Sequence, residues 1–106
     1  MEERIAIACY KPKSGKTDAL RQLMRTHLPT LKEQNLVTDR ASIMMEAKDG
    51  TIIEVFEWKS LIAIEQAHSN PAVLKMWEKY NEVCEYIPIG KVDEAANLFS
   101  GFAPIV

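Results

Sequence analysis

The spacing of apolar positions changes several times along the chain, and each change marks an element. From Arg4 to Tyr10 the residues alternate, with Ile5, Ile7 and Cys9 on one side and Ala6, Ala8 and Tyr10 on the other. Both sets are apolar, which predicts a strand covered on both faces. Lys11–Gly15 reads as a turn. From Lys16 to about Gln34 the period becomes helical, with Ala19, Leu20, Leu23, Met24, His27, Leu28 and Leu31 on one stripe. Ser14 or Thr17 is placed to cap this helix, Pro29 to kink or divide it, and Asn35 to stop it in a left-handed conformation.

A second alternating stretch, Asp39 to Ala47, runs into Lys48-Asp49-Gly50, where Asp-Gly signals a hairpin turn. Thr51 to Trp58 follows, and its β-branched and aromatic content makes it the strongest strand signal in the chain. Ser60 caps a short helix running to His68. Asn70 caps a longer one with Pro71 at its first position, buried through Val73, Met76, Trp77, Tyr80, Val83, Cys84 and Ile87 and ended by Pro88 and Gly90. Asp93–Asn97 reads as a short helical turn and Leu98–Ile105 as the last strand.

The predicted order is β-α-β-β-α-β, an α+β, ferredoxin-like arrangement with a four-stranded antiparallel sheet. The 106 residues make one domain, 1–106. Helices cover one face of such a sheet. The third strand offers Thr51, Ile53 and Val55 on one face and Ile52, Phe56 and Trp58 on the other, and the second offers Ile43 and Met45 against Ser42, Met44 and Glu46, so neither face is polar enough to sit in water. Sheet-on-sheet pairing into a homodimer is the expected solution.

Composition narrows the function classes. Apolar residues make up 47% and charged residues 26% of the chain, an ordinary globular balance. The net charge of −2, with Lys and Arg scattered, offers no basic face for nucleic acid. No apolar run approaches the roughly 18 residues needed to span a bilayer, and the N-terminal residues do not read as a signal peptide, so the expected location is cytoplasmic. Cys9 and Cys84 sit in apolar patterns as free thiols. Two Cys and two His in no zinc-like spacing predict no metal site.

The chain resembles the antibiotic-biosynthesis-monooxygenase-like family of dimeric α+β barrels. The resemblance is carried by the order and spacing of Pro12-Lys13-Ser14-Gly15-Lys16, Ala47-Lys48-Asp49-Gly50-Thr51, Val55-Phe56-Glu57-Trp58-Lys59-Ser60 and Ala67-His68-Ser69-Asn70-Pro71. It implies a homodimer with sheets packed face to face and a pocket between sheet and helices in each subunit. Some members oxygenate aromatic polyketides or quinols without metal or flavin, and others degrade heme. The heme-degrading members use an Asn on the first strand and a Trp and a His on the helices after the third. Those helix positions match Ala67 and Trp77 here, and the first strand has no Asn, which argues against heme chemistry.

The candidate chemistry is limited. Tyr10–Thr17, YKPKSGKT, ends like a phosphate loop, but Tyr10 stands where a glycine is needed to wrap a phosphate. His68, just before the Asn70 cap, is either a general base or a polar connector. His27, on the apolar stripe of its helix, reads as a half-buried structural histidine. Trp58, Trp77 and Tyr80, with Phe56 and Tyr86, either line an aromatic pocket or pack the core and interface. Glu54 and Glu57 fall on opposite faces of their strand and read as solvated or interface residues. The expected activity is a cofactor-free monooxygenation of a small aromatic or quinol, with His68 as catalytic base and Trp58, Trp77 and Tyr80 binding substrate. The alternative is a non-catalytic dimer of the same fold that holds a small apolar ligand.

Overall fold

The computed structural model describes residues 2–105. Its elements are β1 (Arg4–Pro12), α1 (Thr17–Glu33), β2 (Ile43–Glu46), β3 (Ile52–Trp58), α2 (Leu61–Ala67), α3 (Pro71–Val83), β4 (Cys84–Ile87), two 3-10 turns (Ile89–Lys91 and Asp93–Ala96) and β5 (Ala103–Pro104). The sheet is antiparallel with strand order β4-β1-β3-β2-β5. Its first four strands follow the ferredoxin-like order, as expected, and β5 adds a fifth at the β2 edge.

Local chemistry accounts for most of the boundaries. The Asn70 side chain accepts hydrogen bonds from the backbone N–H groups of Ala72 (2.9 Å) and Val73 (3.2 Å), and Pro71 follows at the first helical position. Ser60 Oγ accepts from Ala63 N–H at 3.0 Å to start α2. Asn35 adopts φ +61°, and its N–H donates to Lys32 O at 2.9 Å, closing α1 in the left-handed turn expected of it. Gly50, at φ +91°, completes the hairpin turn, where Asp49 Oδ1 accepts from Thr51 N–H. That bond holds the Asp49 carboxyl below its usual range.

Several expectations are corrected. Neither Ser14 nor Thr17 caps α1: the cap position is Lys16, without a side-chain bond. Pro29 lies within α1 and does not divide it. It is exposed, and so is Arg25 one turn earlier, so water can reach the carbonyl that loses its helical donor. β1 continues through Lys11 and Pro12, in place of the turn expected there, because both pair with β4. β2 is shorter than Asp39–Ala47. The largest change is at the end of α3. Cys84 and Ile87 leave the helix and form β4, with Cys9 opposite Ile87 and Pro12 opposite Cys84. The Leu98–Ile105 strand shrinks to Ala103–Pro104 beside β2.

The core lies between the sheet and the three helices. α1 contributes Leu20, Met24 and Leu31, α2 Ala63 and Ala67, and α3 Val73, Met76 and Tyr80, against Tyr10, Ile52, Phe56 and Trp58 of the sheet. Each large apolar side chain buried here contributes on the order of 1.5–3 kcal/mol. On the opposite sheet face, the 3-10 turns and Phe102 cover Cys9, Ile53 and Ala47. The rest of that face is open, so β1 is not covered on both sides: Ile5, Ile7 and Ile43 are 60%, 55% and 62% exposed. Ile7, Val55 and Ile43 stand side by side in register across three strands.

Candidate functional site

On its helix-facing side β1 places the small Ala6 and Ala8 between Arg4, at its start, and the bulky Tyr10. These small side chains leave an open cleft of about 400 Å³ between the sheet and the helices. Its walls are Ala8 and Tyr10 of β1, His27 of α1, Phe56 and Trp58 of β3, His68 after α2, Trp77 of α3 and Tyr86 of β4. Both histidines and both tryptophans of the chain therefore meet at one place. Among the described residues, none that lines the cleft is a lysine, arginine or carboxylic acid.

Three of the four residues singled out from the sequence line this cleft. Trp58 is buried, 5.3 Å from the Phe56 ring. Trp77 is half-buried, and its ring lies 5.2 Å from that of His68. His68 is exposed at the rim, with Nδ1 2.8 Å from the carbonyl oxygen of Ile64. That carbonyl can only accept, so Nδ1 carries the proton and Nε2 is left as an acceptor in the neutral ring. Tyr80, the fourth, does not line the cleft. It is fully buried beneath it, and its hydroxyl donates to Leu23 O at 2.9 Å. Burial pushes that phenol above its ordinary range.

The residues that sequence reasoning passed over form the other side of the site. Glu54, read as solvated or at an interface, is fully buried on the helix-facing side of β3. It does fall opposite to Glu57, which stays near the outer face beside Thr38 (2.8 Å) and Arg40 (3.1 Å). The Thr38 hydroxyl and then Arg40 hold the Glu57 carboxyl below its usual range. Tyr10 Oη donates to Glu54 Oε1 at 2.9 Å. Burial first, and then the neighbouring Glu54 charge, push the Tyr10 hydroxyl well above the usual phenol range, so it remains a donor. His27 Nδ1 lies 2.8 Å from the same Glu54 oxygen, but out of line for a hydrogen bond. Among the described residues, Glu54 Oε2 has no hydrogen-bond partner. The sequence does hold one signal for this group: Glu54 is the one charged residue on the inward face of an otherwise apolar strand.

The His27 ring is fixed by three aromatic neighbours in edge-on contact: Phe56 at 5.3 Å, Tyr80 at 5.7 Å and Tyr10 at 5.9 Å. With Nδ1 turned to Glu54, Nε2 is the ring nitrogen left available to the cleft that His27 lines. The arrangement offers flat apolar walls for a planar ligand and two imidazoles for its polar groups. Among the described residues, no three His, Cys, Asp or Glu side chains converge as a metal-binding group. Among them, too, no helix is long and apolar enough to cross a membrane.

No protein-family model matches the sequence, and comparison with curated proteins finds no match either. Solved structures do match in shape. SnoaB, a cofactor-independent oxygenase from Streptomyces nogalater, superposes with a TM-score of 0.70 at 10% identity, over 82% of this chain and 88% of that one. Rv0793 from Mycobacterium tuberculosis gives 0.64 at 19% identity, over 82% and 89%. SO0527 from Shewanella oneidensis gives 0.63 at 16%, over 81% and 85%. At these identities the likeness shows a shared fold, the one that the sequence resemblance to monooxygenase-like proteins implied.

Proposed function

We propose that this chain binds a small, neutral, planar phenol or quinol in the aromatic cleft and oxygenates it without a bound cofactor, as a homodimer in a reducing cytoplasm. The observation that carries this reading is the cleft itself, an apolar slot whose only titratable lining groups are two imidazoles and two phenols. A carboxylate or phosphate substrate would find no lysine or arginine there, whereas a phenol finds aromatic faces and proton acceptors. The fold likeness to a cofactor-independent oxygenase supports the reaction type, although fold alone does not carry function.

In such a reaction the substrate supplies the electrons. One atom of O₂ enters the ring, the other leaves as water, and a hydroquinone becomes a hydroxyquinone. Removing a hydroxyl proton raises the electron density of the ring, so a proton acceptor is the main chemical contribution asked of the protein. The two imidazoles of the cleft are His68 at the rim and His27 deeper in. The test is O₂ uptake with naphthohydroquinone. Saturable uptake above the uncatalysed rate, forming one hydroxyquinone per O₂, is expected. Binding of the probe with O₂ uptake at background would mean the alternative, a ligand-binding module that catalyses nothing.

The dimer would pair the two open sheet faces. The row Ile7–Val55–Ile43, with Ile5 beside it, is an apolar patch on an otherwise folded domain, and it can pair with its own copy about a two-fold axis. Sedimentation should give a dimer, and Ile7→Lys a folded monomer. A wild-type chain that sediments as a monomer would refute the pairing.

A further inference from the structure

Burying a carboxylate costs several kcal/mol unless it is fully paired, and Glu54 is not. It is fully buried; among the described residues one oxygen accepts a single bond, from Tyr10, and the other has no partner. An apolar residue at this place in β3 would serve the core better. A buried polar group left unsatisfied calls for an explanation, and the cleft supplies one. His27, whose side chain is only 5% exposed, sits between Glu54 and the cleft, with Nδ1 2.8 Å from the carboxylate.

We infer that Glu54 and His27 form the proton acceptor of the cleft: His27 Nε2 takes the hydroxyl proton of a bound phenol, and Glu54, acting through the ring, is a positioning residue. The inference rests on reading the cleft as a phenol site. The step begins with Glu54 as a carboxylate and His27 as a neutral imidazole protonated at Nδ1. The phenol O–H bond breaks, an Nε2–H bond forms, and the electron pair stays on the phenolate oxygen. The positive charge arriving on the ring lies beside a carboxylate held ready by Tyr10. The misaligned Nδ1 contact and the idle Oε2 can both tighten at that moment. Their attraction then acts in the charge-separated state more than in the resting one, which is where it accelerates a reaction. His68 has no such partner: its Nδ1 is committed to a backbone carbonyl, and the residue is exposed. It is suited to orienting the ligand and to exchanging protons with water.

The titratable groups facing the His27 ring are Glu54 from β3, Tyr10 from β1 and Tyr80 from α3, with Tyr86 of β4 against Tyr10. The experiment is an absorbance titration of bound para-nitrophenol, whose phenolate is coloured, across pH. It uses the full chain and its Glu54→Gln, His27→Gln and His68→Gln variants. The bound probe should ionise at least about one pH unit below the free probe, a tenfold change in ionised fraction. That shift should vanish in Glu54→Gln and His27→Gln, with the probe still bound, and persist in His68→Gln. If Glu54→Gln fails to fold by near-UV circular dichroism, His27→Gln alone decides. A probe bound to wild type as neutral phenol, or ionised equally in Glu54→Gln or His27→Gln, would overturn the inference. Absence of binding to wild type would instead refute the phenol-site reading on which it rests.

Discussion

Tyr10→Phe isolates a single buried bond. The rings within 5.6–5.9 Å of Tyr10, those of Tyr80, Tyr86 and His27, still find an aromatic neighbour of the same size in phenylalanine. Only the hydroxyl is lost, and with it the one hydrogen bond that Glu54 accepts, at 2.9 Å and away from water. A hydrogen bond to a charged group is worth about 1.5–3 kcal/mol net, and leaving its partner buried and unpaired takes the loss to the upper end. The expected destabilisation is thus about 2–3 kcal/mol by urea unfolding at neutral pH. For a domain of this length that amounts to roughly 9–13 °C in Tm. Removing both partners should cost less than the sum of the single changes, because Glu54→Leu replaces the stranded carboxylate with an apolar group. The double-mutant cycle of Tyr10→Phe with Glu54→Leu should show a coupling of about 2 kcal/mol. A Tyr10→Phe loss below about 0.5 kcal/mol, with additive effects in the cycle, would refute the bond and the reasoning built on it.

Three further outcomes are expected. Asn70→Ala removes an acceptor for two backbone donors at the start of α3 and should cost about 1–2 kcal/mol of stability in urea. Ala8→Leu should fill the cleft from the β1 side and abolish phenol binding, measured by tryptophan quenching, while stability changes by less than about 1.5 kcal/mol. At alkaline pH the sign follows from the raised phenols: Tyr10 and Tyr80 hold their protons in the fold above the ordinary value of 10.0, where the unfolded chain has released them. Stability should be fully present below pH 10 on this account. Above it, stability should fall by about 1.4 kcal/mol per pH unit for each of the two. The Cys84 thiol, pushed by burial to about 11, extends the same trend down toward pH 9.0. Tyrosinate absorbance appearing together with loss of circular dichroism is the check, and ionisation of Tyr10 and Tyr80 near pH 10 in the folded chain would contradict it.

The elements read most surely from sequence are those whose signals are local. Asn70-Pro71 marks the start of α3, Asp49-Gly50 the hairpin, and Ile52–Trp58 the central strand, because capping, turn geometry and β-branching act over a few residues. β4 was hidden because Cys84 and Ile87 continue the helical spacing of Val73, Met76, Tyr80 and Val83. What ends the helix is the free edge of β1, some seventy residues earlier in the chain, which takes Cys84–Ile87 as a partner. The site divides in the same way. His68, Trp58 and Trp77 were legible because they flank one strand–helix junction. Tyr10, His27 and Glu54 meet only after three elements have packed, with 44 positions between Tyr10 and Glu54. Tyr80 shares the aromatic character of the others, but its helical phase points it into the core beneath the cleft.

The chemistry proposed for this chain depends on the space between Trp58 and Trp77 binding a neutral aromatic hydroxyl compound. The first measurement is a fluorescence titration of this 106-residue chain with naphthol, reading the quenching of its two tryptophans, both of which line the cleft. Saturable quenching with one naphthol per chain is expected, with no comparable response to naphthoate, whose carboxylate meets no lysine or arginine there. Unsaturable quenching, or tighter binding of the carboxylate than of the phenol, would contradict it.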